Sequence, residues 1–252
     1  MELTGMRPKI IISKTAADAA HAAARFFAET ASEEASRKGF FASAISGGET
    51  PRRMHRLLGK QPYLDSIPWK SVHIFWADER CVSADDPSSN YGAAMRDFLE
   101  KVPIPNDNIH SMPVSLSPDT AACVYGDRLK SFFSGRGYNE PVFDLIFLGL
   151  GSDGHTASIF PDSEADEKGS GKVAALFGGT PKVFRITLTI PIINTAQRVA
   201  FLVTGKDKSA IVNRIISDGG GLPAARVIPS SGNLMWFLDR EAGSALESKE
   251  PY

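Results

Sequence analysis

Two kinds of apolar pattern alternate along this chain. Short runs of consecutive apolar residues are followed by longer stretches in which apolar residues return every three or four positions. The runs "KIIIS" (9–13), "FFASAI" (40–45), "SVHIFWA" (71–77), "VFDLIFLGL" (142–150), "VFRITLTI" (183–190), "RVAFLVTG" (198–205) and "NLMWFLD" (233–239) read as strands. They are too uniformly apolar to have a wet face. Helical spacing predicts an alanine-rich helix over 15–39 that Gly39 stops, a short helix from Thr50 or Pro51, and helices over 90–102, 119–133 and 206–217. Buried strands separated by helices predict an α/β fold: a mostly parallel sheet with helices on both faces. In such sheets ligands bind beyond the carboxyl ends of the strands, so the residues following each run are the candidate site.

Composition narrows the function classes. With 252 residues and 42% hydrophobic content, a single domain spanning 1–252 is expected. Lys and Arg total 28 against 29 Asp and Glu, so no long-range positive field suits nucleic acid, and any phosphate recognition must be local. Cys81 and Cys123 form neither a disulfide framework nor a zinc pattern, and none of the five histidines forms a metal pair; no metal is expected. No apolar run approaches the ~18 residues of a membrane span, and the amino-terminal stretch has no long apolar segment. The expectation is a cytoplasmic protein without nucleic-acid or membrane partners, a monomer or small homo-oligomer.

The most informative stretch is "GLGSDGHTASIFP", Gly149 to Pro161. Gly149, Gly151 and Gly154 match the GxGxxG pattern after a strand. A dinucleotide fingerprint needs a helix starting at the third glycine and an acid at the end of the next strand. Pro161 follows closely instead, and a polar segment, 162–172, comes next; it reads as a flexible loop and a candidate lid. Ser152 nearly completes a GxSxG elbow, but Leu150 stands where the first glycine should be. The remaining reading is a tight turn that brings backbone N–H groups near a ligand and presents His155 as a general base, with Asp153 to orient it. A structural histidine is the bland alternative.

Three other strand ends carry candidate chemistry. "SGGETP", Ser46 to Pro51, offers converging amides at a helix start, with Thr50 as N-cap and Pro51 at the first helical position. "DER" places Asp78, Glu79 and Arg80 at a strand mouth, where charged residues are either solvated or functional. Arg185 lies in a β-rich segment, and Lys206 and Lys208 open a helix whose dipole they oppose.

Taken in order, "SGGETP", "WADER", "SNY", "LGLGSDGHTASIFP", "RITLT", "LVTGKDK" and "MWFLD" resemble the 6-phosphogluconolactonase family over about residues 10–245. The resemblance implies a Rossmann-like sheet and hydrolysis of 6-phospho-D-glucono-1,5-lactone, the second step of the oxidative pentose phosphate pathway, without cofactor. It implies catalytic roles for His155, Asp153 and Arg80. Ser46, Gly47, Gly48, Thr50, Arg185 and Lys208 would hold the phosphate, with Lys206 the alternative lysine. Glu49 departs from the family's small residue there and is expected to face solvent. The related glucosamine-6-phosphate deaminases carry an Asn-Glu-Pro where this chain has Ile159, Phe160 and Pro161, so the acid their chemistry uses is missing. A sugar-responsive regulator would need a DNA-binding segment, for which the chain shows no basic stretch.

Overall fold

The computed structural model describes residues 8–161, 171–219 and 221–247. Segment 162–170, most of the candidate lid, lies outside the described residues.

The chain begins with β1 (Lys9–Ser13) and α1 (Ala16–Lys38). Thr15 caps α1 by accepting from the Asp18 N–H, while Asp18 accepts from the Thr15 N–H; Gly39 ends the helix at φ 84°, where a side chain would be strained. Next come β2 (Phe41–Ile45), α2 (Glu49–Leu58), the single turn α3 (Tyr63–Ser66), β3 (Val72–Trp76), β4 (Asp78–Arg80) and α4 (Asn90–Asp97). The middle of the chain supplies β5 (Ile109–His110), α5 (Pro118–Ser134), β6 (Leu145–Leu148), β7 (Val173–Gly178) and β8 (Val183–Leu188). It ends with α6 (Ile190–Asn194), β9 (Val199–Val203), α7 (Ser209–Asp218), β10 (Leu234–Asp239) and α8 (Arg240–Glu247).

Seven strands form one sheet in the order β1-β10-β9-β6-β2-β3-β5, and every pair in it is parallel. All residues of β2, β6 and β9 are buried, which requires cover on both faces. The uniform apolarity of these runs therefore has its physical cause in the sheet's centre. Tyr125 shows how a helix locks on: fully buried on α5, its hydroxyl accepts from the Trp76 N–H at 3.0 Å.

The structure corrects the reading of two segments. The run at 183–190 is not a strand of the parallel sheet: β8 is the centre of a separate antiparallel sheet, β4-β8-β7. "DER" is not a loop at a strand mouth but the edge strand β4 of that sheet, while β7 had no counterpart in the apolar pattern. Both escape the pattern for a local reason. β4 is only three residues long, and β7 is half-exposed along most of its length, so neither makes an apolar run. Ile186 and Leu188 nevertheless bury into the same apolar cluster as the large sheet.

Candidate active site

β2, β6 and β9 lie side by side where the chain order reverses about β2, and Asp78, Arg80 and Arg185 of the small sheet line the same cleft as the residues after these strands. A cleft of about 280 Å³ opens there, lined by residues of the 46–51 turn, Asp78, Arg80, Asn90, the 149–157 turn, Arg185, Thr204 and Lys208. A second hollow of about 620 Å³ continues beyond His155, Arg80 and Arg185 toward Phe177 and Thr180. All nine residues singled out from the sequence except Asp153 line the first cleft; Asp153 lines the second. Lys208 lines the cleft, whereas Lys206 is exposed and does not.

The 46–51 turn is built differently from the expectation. Gly48, at φ 96°, is the N-cap of α2, so Glu49 is the first helical residue and Thr50 the second. Thr50 is not a cap and Pro51 is not at the first position. Because a glycine takes the strained position, the Thr50 hydroxyl is left to meet Thr204 across the cleft at 3.2 Å. Ser46 is buried and donates to the Phe147 carbonyl at 2.9 Å, tying β2 to β6 beneath the turn. Glu49 stands at the rim, 61% exposed, and binds Arg56 at 3.1 Å. That Arg56 contact, more than the slight burial opposing it, holds the Glu49 carboxyl below its usual range.

Lys206 and Lys208 lie in a short 3₁₀ turn ahead of α7, not in its first turn, with Lys208 at the N-cap. The turn is shaped by Asp239, whose carboxylate accepts from the Gly205 N–H at 3.0 Å and the Ala242 N–H at 2.8 Å.

After β6 no helix starts at Gly154, so the geometry a dinucleotide would need is not formed. The chain makes a tight turn in which the Gly151 N–H donates to the His155 carbonyl and the Gly154 N–H to the Gly151 carbonyl. Both amides are therefore engaged within the turn and are not oxyanion donors as the turn stands. Asp153 Oδ1 accepts from the His155 backbone N–H at 3.1 Å and meets His155 Nδ1 at 2.6 Å. With Nδ1 donating to the carboxylate, Nε2 carries the free lone pair. Burial alone would raise the Asp153 carboxyl, but the His155 N–H and ring outweigh it and hold it below its usual range. Gly151 lies directly under this pair: a Cβ there would stand 2.0 Å from His155 Nδ1. Phe160 covers the other side of the imidazole at 4.7 Å between ring centres. Ala157 has φ 49°, a conformation that non-glycine residues rarely adopt outside constrained sites. Thr156 Oγ1 donating to the Gly149 carbonyl and Ser158 Oγ donating to Asp78 hold it there.

Arg80 and Arg185 are directly opposite each other across β4 and β8. Arg80 Nη1 donates to the Ser88 carbonyl and to Asn90 Oδ1, both at 2.7 Å. Arg185, 6% exposed, donates from Nε to the Gly178 carbonyl at 3.2 Å and from Nη1 to Ser158 Oγ at 3.4 Å. Burial, and then the Arg80 charge, draw the Arg185 guanidinium down from its ordinary value. Glu79 plays no part in the cleft. It is buried and accepts from the N–H groups of Arg80, Asn90 and Tyr91, which hold the start of α4; burial still pushes its carboxyl up.

Sequence reasoning missed Asn90 and Thr204 as parts of the cleft and Ser158 as the buried contact between Asp78 and Arg185 behind it, and gave Asp78 no role of its own. "SNY" was visible as a motif, but the contacts of Asn90 are with residues ten and twelve positions away on another element. No group of three or more potential metal ligands occurs among the described residues, and none of their helices is long and apolar enough to cross a membrane.

A parallel α/β sheet with a strand-end cleft, a glycine amide turn, unpaired cations and an oriented histidine defines a protein that handles a small anionic molecule. The family model for glucosamine-6-phosphate isomerases/6-phosphogluconolactonase matches residues 14–236, and the chain belongs to that family. It is similar to a 6-phosphogluconolactonase of Synechocystis sp., 42% identical over 207 residues, which is 81% of this chain and 83% of the relative. The solved 6-phosphogluconolactonase of Trypanosoma brucei superposes with a TM-score of 0.84 at 32% identity, covering 96% of this chain and 99% of that one. A monomeric glucosamine-6-phosphate deaminase shares the fold, with a TM-score of 0.79 at 19% identity over 94% of this chain and 99% of that one.

Proposed function

We propose that this chain hydrolyses 6-phospho-D-glucono-1,5-lactone to 6-phospho-D-gluconate, with His155 as general base. The observation that carries the reading is His155, paired with Asp153 at 2.6 Å, in a cleft that it lines together with Arg80, Arg185 and Lys208. His155 Nε2 takes a proton from water as the water oxygen attacks C1 of the lactone. The carbonyl electrons move onto oxygen, and their return breaks the bond from C1 to the ring oxygen. That oxygen leaves with the proton His155 received, and the new carboxylic acid ionises. A lactone is an activated ester, so activated water and a stabilised oxyanion are enough. The substrate phosphate rests on the 46–50 turn and Lys208, with the two arginines reaching it from the small sheet.

The deaminase reading is disfavoured by Ile159 and Phe160, which stand where that chemistry requires an acid; Ile159 is fully buried. The reading treats residues 1–252 as one domain, which the apolar cluster common to both sheets supports. Cytoplasmic residence is also proposed: Cys81 and Cys123 are both free, as in a reducing compartment. The test is a coupled assay with freshly generated lactone, measured against spontaneous hydrolysis. Ammonia release from glucosamine 6-phosphate is followed in parallel. Acceleration of lactone hydrolysis by the wild-type chain is expected; no acceleration, or ammonia release instead, overturns the reading.

A further inference from the structure

Like charges directly opposite each other across a β-ladder repel, and Arg80 and Arg185 occupy such a position next to a buried carboxylate, Asp78. Asp78 lies two residues before Arg80, on the same face of β4. The simplest relief would be an ion pair, yet no ion pair among the described residues involves Arg80 or Arg185. Two neutral side chains stand between acid and cations. Asn90 Nδ2 faces Asp78, donating to its carbonyl at 2.9 Å and lying 3.4 Å from Oδ1, while Asn90 Oδ1 accepts from Arg80. Arg80 can only donate, so the amide can have only this orientation. Ser158 repeats the arrangement: its hydroxyl donates to Asp78 Oδ2 at 2.6 Å and accepts from Arg185.

Both intermediaries are held hard. Asn90 is 4% exposed and Ser158 fully buried. A Cβ on Gly47 would lie 1.8 Å from Asn90 Oδ1, so the amide turn of the cleft is seated on the Asn90 side chain itself. Arg80 Nε is buried without a partner, which leaves this guanidinium incompletely satisfied by the protein.

We propose that Asn90 and Ser158 are positioning residues that act as neutral spacers: they fix Arg80 and Arg185 at the cleft and keep Asp78 from pairing with either. The two positive charges thereby stay free of a direct ion pair and open to a phosphate dianion, which makes the spacers determinants of specificity for phosphorylated substrates. The proposal rests on the phosphate-binding reading above. Asparagine at position 90 is the point of chemistry. An aspartate of the same shape would hold Arg80 equally well but would cancel its charge and face Asp78 with a second carboxylate.

The test is calorimetric titration of wild type, Asn90→Asp and Ser158→Ala with inorganic phosphate and, separately, 6-phosphogluconate. Kd is read at a temperature where unfolding curves show each variant fully folded, because a partly unfolded population would itself raise the apparent Kd. Asn90→Asp is expected to weaken both ligands at least about tenfold, since a full negative charge is placed against Arg80. Ser158→Ala lets Arg185 approach Asp78 and is expected to weaken them about threefold. Kd within twofold of wild type for Asn90→Asp overturns the spacer role. If that variant does not fold, Ser158→Ala decides, and an unchanged Kd there overturns it. A wild-type chain that binds neither ligand overturns the phosphate reading itself, an outcome separate from failure of the spacers.

Discussion

Arg52 and Arg56, on α2, share the Asp97 carboxylate at 2.7 and 3.2 Å, and Arg56 also binds Glu49. Arg80 and Arg185, facing the cleft that the same helix opens onto, rest on two carbonyls, an amide and a hydroxyl. Four guanidiniums thus fall into two pairs, one neutralised by acids and one held by neutral acceptors. The first pair fixes α2 against α4. The second keeps its charge available, at the cost of mutual repulsion and burial. A cation's partners therefore say more about its task than its exposure does: Arg185 is more buried than Arg52, yet it is the one without an acid.

The comparison separates holding a substrate from acting on it, and the largest expected effect tests that separation. His155→Asn should lower kcat by roughly 10²–10⁴-fold, the usual worth of a general base, while leaving Kd for 6-phosphogluconate near the wild-type value. A rate loss accompanied by an equal loss of product affinity would show that the histidine holds the ligand.

Next in size is the effect of dismantling the neutralised pair. Asp97→Ala should cost about 2 kcal/mol of stability by thermal or urea unfolding, because it strands two arginines around a buried site. Its effect on kcat/KM should be slight. Burial opposes ionisation of Asp97, but the Arg52 and Arg56 contacts prevail and hold it below the usual carboxylate range.

The same cluster predicts an acid sensitivity. His55, fully buried on α2 against Phe98, has no partner for Nε2 and is pulled down to about 4, first by burial and then by the arginine charges. Its folded value lies below its unfolded one near 6.5, so the unfolded chain binds more protons between the two. This contribution is fully present above about pH 6.5 and declines as pH falls to about 4. His73 and His110, stacked at the sheet edge and pulled down to about 3 and about 4 mainly by burial, act in the same direction. His55→Leu should flatten the loss of stability between pH 7 and pH 5 by about 2 kcal/mol, read from melting temperatures across that range. An unchanged slope would show that His55 does not titrate with unfolding.

The smallest effect has the opposite sign. Arg185→Met keeps the length of the side chain and removes one of two opposed charges, so it should raise stability by about 1 kcal/mol. The corresponding change at a neutralised position, Arg52→Met, should lower it.

Much of this was legible in the sequence because it depends on local pattern. The apolar runs of β2, β6 and β9 announced a covered parallel sheet, and Pro161 with the polar segment after it announced that no helix could start at Gly154. The small sheet was not legible. "DER" is too short to carry a period, and the run containing Arg185 has the same composition whether it pairs in parallel or antiparallel. The opposition of Arg80 and Arg185 follows from that sheet's register, so it was invisible until the strands were paired. Thr50 was misread as a cap because its residue type suits one, whereas Gly48 occupies the position by virtue of its backbone freedom. Asn90 and Ser158 were passed over because their importance lies in standing between charges that are distant in the chain.

The most direct measurement is the ratio of kcat/KM for 6-phosphogluconolactone to that for unphosphorylated glucono-1,5-lactone, in wild type and Arg185→Met. If uncompensated charge in the cleft selects the phosphate, the ratio falls at least about 30-fold in the variant, through the phosphorylated substrate. A variant that loses activity equally on both lactones, or keeps the wild-type ratio, would contradict that account of the cleft.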